Sequence, residues 1–200
     1  NPVVISEVLK FFEINRDVGA VLPRVNYPDG SQQFLCKLLP TPLDLIFRRF
    51  IPTKKLKERH DIEFELQNAD YTKNFYAPSL SGCFMFLRTD ILKLVNGFDE
   101  RFFMYCEDID LCRRINEHSD LMYVPTLPVI HHYNKESYRS NKLLCYHIKS
   151  AIQYFNKWGW IFDSERKIIN KKTLKQLKNG LIHSLLKPNQ LFKFLRRTKK

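Results

Sequence analysis

Apolar residues recur at helical spacing in several stretches of this chain. The pattern predicts an amphipathic helix over residues 4–18 that ends at Gly19. The same spacing predicts helices near 43–50, over 88–95 with Gly97 beyond its end, over 107–117, from Ser137 or Ser140 to about Trp158, and from about Ser164 onward. Helices of this kind bury one face, so a packed core is expected.

Short apolar runs bounded by turn residues lie between these helices. They predict strands over 20–25, 80–87, 121–124 and 129–132. Residues 27–30 read Tyr-Pro-Asp-Gly, a turn signature, and Pro125 and Pro128 are predicted to bracket another turn. Strands that alternate with helices predict an α/β fold, in which ligands bind at the carboxyl ends of strands.

The segment 40–80 is the least regular part of the pattern. Pro40, Pro42 and Pro52 interrupt it, and a charged run over 54–59 follows. Beyond its first short helix we expect a long irregular excursion, of the kind that serves as a lid in other proteins.

The positive charge is concentrated at the carboxyl end of the chain. The net charge is +12, and residues 164–200 hold twelve Lys or Arg against one Glu, a net +11, so the remaining 163 residues hold +1. A neutral body argues against nucleic acid as the partner. A basic tail that carries leucines at helical spacing indicates an anionic membrane surface, with docking on the body as the alternative.

Length and composition indicate one globular domain, over 1–163, followed by a basic helical tail over 164–200. The chain has 200 residues, of which 44% are hydrophobic, and no run approaches the roughly 18 apolar residues of a membrane span. Its five cysteines include no CxxC pair, which argues against zinc and indicates reduced core thiols in a cytoplasmic protein. We expect a cytoplasmic location, on the inner face of the membrane if the tail binds there.

Three carboxylates mark the strongest candidate for chemistry. Glu107, Asp108 and Asp110 lie where an aromatic loop meets the predicted helix 107–117. The positive end of a helix favours ionised carboxylates, as a general base or a group that binds a sugar hydroxyl requires. Ordinary capping of the helix by acidic residues is the alternative.

Two histidines close the predicted strand 129–132. Near a carboxylate cluster, His131, and after it His132, can complete a Mg²⁺ or Mn²⁺ site or contact a phosphate. A packed or solvated structural pair is the alternative.

Blocks of sequence occur in a familiar order. They are 26–31 (Asn-Tyr-Pro-Asp-Gly-Ser), 81–88 (Ser-Gly-Cys-Phe-Met-Phe-Leu-Arg), 97–114 around the carboxylates, Val124-Pro with Val129-Ile-His, and 146–160. In this order they resemble the C-terminal half of family 2 glycosyltransferases, in the rhamnosyltransferase-like branch that builds O-antigen and other cell-surface polysaccharides. The resemblance covers most of residues 1–170.

The resemblance implies a GT-A fold and an inverting transfer from a nucleotide-diphosphate sugar to a glycan or lipid-linked acceptor. It puts the general base at Asp108, with Glu107 orienting the acceptor or the base. It implies substrate binding by a set of four residues, Ser81, Gly82, Asp110 and Arg114. For Asp110, capping of the helix or pairing with a neighbouring arginine is the alternative. His131 would assist the metal or the diphosphate.

Two departures from that family bear on activity. Val3 stands where the metal-binding aspartate of the family would be, and valine cannot ligate a cation. We also expect this chain to lack the nucleotide-binding half and therefore to hold an incomplete metal site. A truncated enzyme is one interpretation; a non-catalytic module that binds carbohydrate or membrane is the other.

Overall fold

The computed structural model describes residues 2–46, 53–132 and 140–185, with side chains up to residue 178. The helices are α1 (Pro2–Ile14), α2 (Pro42–Leu45), α3 (Lys54–Phe64), α4 (Thr89–Leu94), α5 (Glu107–Asn116), α6 (Asn141–Trp158) and α7 (Ser164–Leu185). The strands are β1 (Val18–Asn26), β2 (Cys36–Lys37), β3 (Phe75–Tyr76), β4 (Ser79–Leu80), β5 (Phe86–Leu87) and β6 (Asp120–Ile130).

A mixed sheet organises the fold. Four strands lie in the order β3, β6, β1, β5, with β1 and β6 parallel and both outer strands antiparallel to their neighbours. Strands β2 and β4 form a second, two-stranded antiparallel sheet. The predicted α/β class with a mixed sheet and flanking helices is confirmed.

The central strand β1 is buried on both faces because helices cover the sheet from two sides. On one face Ala20 and Leu22 belong to a core cluster with Leu111 and Ile115 of α5. On the other face Val21 packs in a cluster with residues of α1. Alternate residues of a strand point to opposite faces, so β1 joins both clusters and fixes α5 against the sheet.

The first helix ends earlier than its apolar pattern predicts. α1 stops at Ile14, and Gly19 lies inside β1 instead of ending a helix. A Cβ added at Gly19 would lie 2.0 Å from Ser119 Oγ, so glycine is required there by close packing. The predicted strand 80–87 is also divided, because the chain turns over the start of α5 between β4 and β5.

The turn expected between Pro125 and Pro128 is wrong, since β6 is one strand through both prolines. Opposite β1, Pro23 pairs with Val124 and Val25 pairs with Val129, so the two prolines lie in a bulge. A bulge accommodates residues that lack a backbone N–H without ending the strand.

The segment 40–80 is more ordered than predicted. It contains α2, α3, β3 and β4, and it contributes Phe64, Leu66 and Phe75 to the main core cluster. These core residues are isolated in the sequence among prolines and charged residues, so the apolar pattern did not predict them. The later part of the helix predicted near 43–50 lies outside the described residues.

Helix α6 begins and ends as predicted. Ser140 is its N-cap, with its Oγ accepting from Leu143 N–H, and Gly159 at φ +100° follows its last residue. Ser137, the other predicted cap, lies outside the described residues. After α4, Gly97 has φ +65° and donates its N–H to Leu92 O at 2.9 Å, a typical helix C-terminus.

The tail forms α7, whose inner face packs on the body. Leu174 and Leu177 contact the main core cluster, and Thr173 is fully buried. These two leucines therefore pack on the body, as the alternative to membrane contact predicted. The break predicted at Lys187-Pro188 lies outside the described residues. Among the described residues, no helix combines the length and apolar character needed to cross a bilayer.

The cysteines are all free, but only three of the five are core residues. Cys36, Cys106 and Cys112 are buried, whereas Cys83 and Cys145 are exposed. The prediction of five core thiols is therefore wrong for two of them. Cys83 lies in the loop between β4 and β5, and Cys145 lies on the solvent side of α6.

Candidate active site

The start of α5 and the loop after β4 hold the Asp108 carboxylate between them. Gly82 N–H donates to Asp108 Oδ2 at 3.0 Å, and Ile109 N–H donates to Asp108 Oδ1 at 2.8 Å. A Cβ built on Gly82 would lie 3.4 Å from the Asp108 Cβ, so the loop after β4 passes close to the first turn of α5. The carboxylate is only partly buried. It is thus oriented by two backbone donors and still reachable from solvent.

Two consecutive left-handed residues place the carboxylates in the first turn of α5. Tyr105 and Cys106 have φ of +67° and +64°, a conformation that costs roughly 1–3 kcal/mol at each non-glycine residue. Burial of Cys106 and a hydrogen bond from Ser150 Oγ to Met104 O, 2.6 Å long, hold this loop in place. The fold therefore maintains a strained turn directly ahead of the candidate site.

Glu107 is in a different environment from Asp108. Its Oε2 atom is buried and has no hydrogen-bond partner among the described residues. Burial raises the pKa of Glu107, and the neighbouring Asp108 carboxylate raises it further. Adjacent carboxylates in unequal surroundings are typical of sites that divide acid and base roles.

Glu107→Gln is expected to raise the melting temperature at pH 7 by about 2–4 °C, as removal of a poorly solvated charge does in a domain of this size. Because the folded-state pKa is raised, the cost of the charge is absent at low pH and grows as pH rises through that pKa. The gain should therefore vanish near about pH 4. Thermal unfolding followed by circular dichroism at both pH values measures it, and an equal gain at both would contradict it.

The structure corrects the substrate-binding roles of Asp110 and Arg114. Asp110 is fully buried; its Oδ1 accepts from Trp158 Nε1 at 2.8 Å and lies 2.7 Å from Lys157 Nζ. Arg114 donates from Nε to Asp110 Oδ2 at 2.9 Å and from Nη1 to Gly97 O at 2.7 Å. This network joins α5 to α6 and to the end of α4. Asp110 therefore pairs with a neighbouring arginine, which was the alternative to substrate binding.

His131 lies at the end of β6 and is oriented by a buried glutamine. Gln33, 1% exposed, donates from Nε2 to His131 O at 2.6 Å, which turns its Oε1 toward His131 Nδ1 at 3.0 Å. Because an amide oxygen only accepts hydrogen bonds, His131 Nδ1 is the donor in this contact. His132 is exposed.

A short segment connects the histidine to the carboxylate loop. Gln33 contacts His131, and two residues later Leu35 O accepts from Ser81 N–H at 3.0 Å. Two residues of extended chain span at most about 7 Å. The next residue, Gly82, holds Asp108. A series of hydrogen bonds between neighbouring segments therefore links the predicted residues Ser81, Gly82, Asp108 and His131.

Gln33 was missed by sequence reasoning. It follows the turn 27–30 beside a second glutamine, and nothing in the local pattern separates the two. Its partner His131 is 98 residues away, so only the tertiary structure identifies it.

The described residues do not supply a metal centre. Nowhere within residues 2–46, 53–132 and 140–178 do three His, Cys, Asp or Glu side chains converge in a way that could hold an ion. Val3 lies in the first turn of α1 and is 48% exposed. His131 alone does not fit a divalent ion, so the described part of the chain does not form the Mg²⁺ or Mn²⁺ site that the resemblance implies.

Two groups of curated proteins are similar to this chain. Rhamnosyltransferase WbbL of Escherichia coli (strain K12) is 44% identical over 77 residues, 37% of this chain and 29% of that protein. N-acetylglucosaminyl-diphospho-decaprenol L-rhamnosyltransferase of Mycobacterium tuberculosis, strains CDC 1551 and H37Rv, is 46% identical over 119 residues, 57% of this chain and 37% of that protein.

The chain spans about a third of the length of the curated relatives it matches. No protein-family model matches it, and no solved structure matches it. The similarity to both relatives nevertheless runs at more than 40% identity where they align. It supports a place for this chain in a rhamnosyltransferase-like glycosyltransferase family.

Proposed function

We propose that this chain is the acceptor-side part of an inverting family 2 glycosyltransferase of GT-A fold, which moves rhamnose from a nucleotide-diphosphate donor to a glycan or lipid-linked acceptor. The observation that carries the proposal is its similarity to two proteins named as rhamnosyltransferases, one of which acts on N-acetylglucosaminyl-diphospho-decaprenol by name. The oriented, accessible Asp108 carboxylate supports the same reaction.

Asp108 serves as the general base in this proposal. The acceptor hydroxyl gives its proton to the carboxylate as its oxygen attacks the anomeric carbon. The bond from that carbon to the diphosphate oxygen breaks, and the diphosphate leaves with the electron pair. Attack opposite the leaving group inverts the anomeric configuration, and proton transfer of this kind contributes about 10²–10⁴-fold to the rate.

The backbone around Asp108 keeps the base aligned. Because Gly82 N–H and Ile109 N–H each hold one oxygen, the carboxylate cannot rotate freely about its last bond. Glu107, whose pKa is raised by burial and by the Asp108 carboxylate, lies beside the base and can hydrogen-bond an acceptor hydroxyl. On the donor side, the His131 ring is oriented by its contact with Gln33.

The direct test is a transfer assay with the complete encoded polypeptide. Nucleotide-diphosphate rhamnose and N-acetylglucosaminyl-diphospho-polyprenol are incubated with the protein, and the product is identified by mass spectrometry and by the anomeric coupling in its NMR spectrum. A product of inverted configuration supports the proposal. Binding of sugar without any turnover would instead support the non-catalytic carbohydrate module.

Replacing His131 with Ala is expected to weaken donor binding about tenfold, because the oriented imidazole is lost from the donor side of the site. His132→Ala is the matched control, since this histidine is adjacent but exposed, and should change donor affinity less than about twofold. Isothermal titration calorimetry with the nucleotide-diphosphate sugar measures both. Equal effects of the two variants would assign His131 a purely structural role.

A further inference from the structure

A basic groove lies between α7 and Thr41 of the body. Four lysines, Lys167, Lys171, Lys175 and Lys178, border it together with Leu174, and its volume is about 620 Å³. The lysines are spaced three or four residues apart, so they lie on one stripe of the helix. The adjoining stripe, with Leu174 and Leu177, faces the core. The groove thus lies along the line where α7 meets the body, and the lysines form its solvent-facing border.

The charge in this groove is not neutralised by the body. Among the described residues, none of the four lysine ammonium groups lies within 4.0 Å of a carboxylate. By contrast, Lys172 on another side of α7 pairs with Asp120 at 2.8 Å. A stripe of like charges destabilises a helix unless something negative lies against it. The charge of the groove is therefore complementary to an anionic partner.

Exposed apolar side chains lie directly before this stripe. In the loop between α6 and α7, Ile161 is 71% exposed and Phe162 is 93% exposed. Ile168, one turn into α7, is 68% exposed. Arg166 donates to Trp160 O at 3.5 Å and ties the loop to the first turn of α7. Large apolar side chains left together in water mark an interaction surface.

We propose that the loop 160–162 and the lysine stripe of α7 form one surface that binds an anionic phospholipid bilayer. Ile161, Phe162 and Ile168 would enter the boundary between headgroups and acyl chains, and the lysines would contact the headgroup phosphates. Helices that lie in the membrane interface combine these two features. A nucleic-acid duplex would contact the lysines, but its paired and stacked bases offer no apolar phase for Ile161, Phe162 and Ile168 to enter. The surface acts independently of sugar transfer.

Co-sedimentation with vesicles tests the proposal without any sugar substrate. The complete polypeptide is mixed with vesicles of phosphatidylglycerol and phosphatidylcholine in equal parts, and with vesicles of phosphatidylcholine alone. We expect at least about tenfold stronger partitioning to the anionic vesicles, decreasing as salt is raised. Equal partitioning to both, or preferential binding of a DNA duplex at the same salt, would overturn the proposal.

Two pairs of variants separate the charged and apolar contributions. Each lysine near an anionic surface contributes about fivefold to partitioning, so Lys171→Gln/Lys175→Gln should lower the partition coefficient by more than about tenfold. Its control, Lys73→Gln/Lys172→Gln, removes the same charge from lysines that already pair with carboxylates and should change it less than about threefold. If both charge variants lose binding equally, only overall charge matters and the surface is refuted.

The apolar test replaces Ile161 and Phe162 with Ser, which should lower partitioning about tenfold without affecting unfolding, since both side chains are exposed. The matched control is Ile14→Ser, an 82% exposed isoleucine at the end of α1, which should leave partitioning unchanged. Unchanged binding of the loop variant would remove the loop from the surface. Unfolding curves in urea confirm that each variant is folded.

Discussion

Asp108→Asn is expected to reduce kcat for sugar transfer by about 10²–10⁴-fold while donor affinity stays within about threefold of the original. The amide has the same shape but cannot take a proton, so the acceptor hydroxyl is no longer activated. Its remaining oxygen can still accept from Gly82 N–H, and one lost hydrogen bond costs about 1 kcal/mol. The variant should therefore fold and bind donor, and fail in the chemical step.

Asp90→Asn is the matched control for this experiment. Asp90 lies in the first turn of α4, and its Oδ1 accepts from Ile91 N–H at 2.9 Å, as Asp108 Oδ1 does from Ile109. The two substitutions therefore disturb the same local bond, but only one removes the proposed base. Steady-state kinetics and calorimetric donor binding are measured on both. Retained transfer by Asp108→Asn, or loss of its folding, would remove Asp108 from the chemistry.

The local pattern was sufficient to predict the element that carries the site. Helix α5 has an amphipathic spacing, acidic residues in its first turn and arginines in its last, and it extends over nearly the predicted residues. Capping and periodicity act within a few residues, so they can be read directly. The central strand, the N-cap Ser140 and the glycine ends of α4 and α6 were predicted for the same reason.

The environment of each carboxylate could not be predicted in that way. Asp108 and Asp110 are two residues apart, but one is held at the surface by a loop and the other is enclosed by Trp158 and Lys157. Those partners are 26 to 48 residues away along the chain. Spacing places both carboxylates in the first turn of a helix, and only tertiary packing decides which of them meets solvent.

Asp163→Ala is expected to lower the free energy of unfolding by about 3–5 kcal/mol, because it leaves the buried Arg113 guanidinium with only a longer contact, 3.3 Å, to the exposed Glu165 carboxylate. Both side chains are 2% exposed, and Arg113 donates to the two Asp163 oxygens at 2.6 and 2.7 Å. Asp163 Oδ1 also accepts from Arg166 N–H at 2.9 Å and so caps α7. The substitution thus breaks a buried ion pair and a helix cap together.

Urea denaturation measures this loss, and two comparisons identify its cause. Arg113→Met/Asp163→Ala removes the buried positive charge as well. In the original chain Arg113 Cζ lies 4.3 Å from the centre of the Trp158 ring, and methionine keeps an apolar side chain in that place. The double variant should be more stable than Asp163→Ala alone. Lys54→Ala breaks an exposed pair with Glu58 and should cost less than about 0.5 kcal/mol. A loss below about 1 kcal/mol for Asp163→Ala would contradict the expectation.

The pH dependence of stability distinguishes the ion pair from simple packing. Burial raises the pKa of Asp163, but hydrogen bonds from Arg113 and from the Arg166 backbone lower it by more, so its net shift is downward. A lowered folded-state pKa stabilises the protein above the unfolded value, about 3.9, and this contribution is lost as pH falls through the folded value. The original chain should therefore lose stability steeply below about pH 4. Asp163→Asn should show a shallower loss over the same range, since Asp99, whose pKa is also lowered, still titrates there. Parallel pH curves for the two proteins would mean that the Asp163 carboxylate contributes to stability only by filling space.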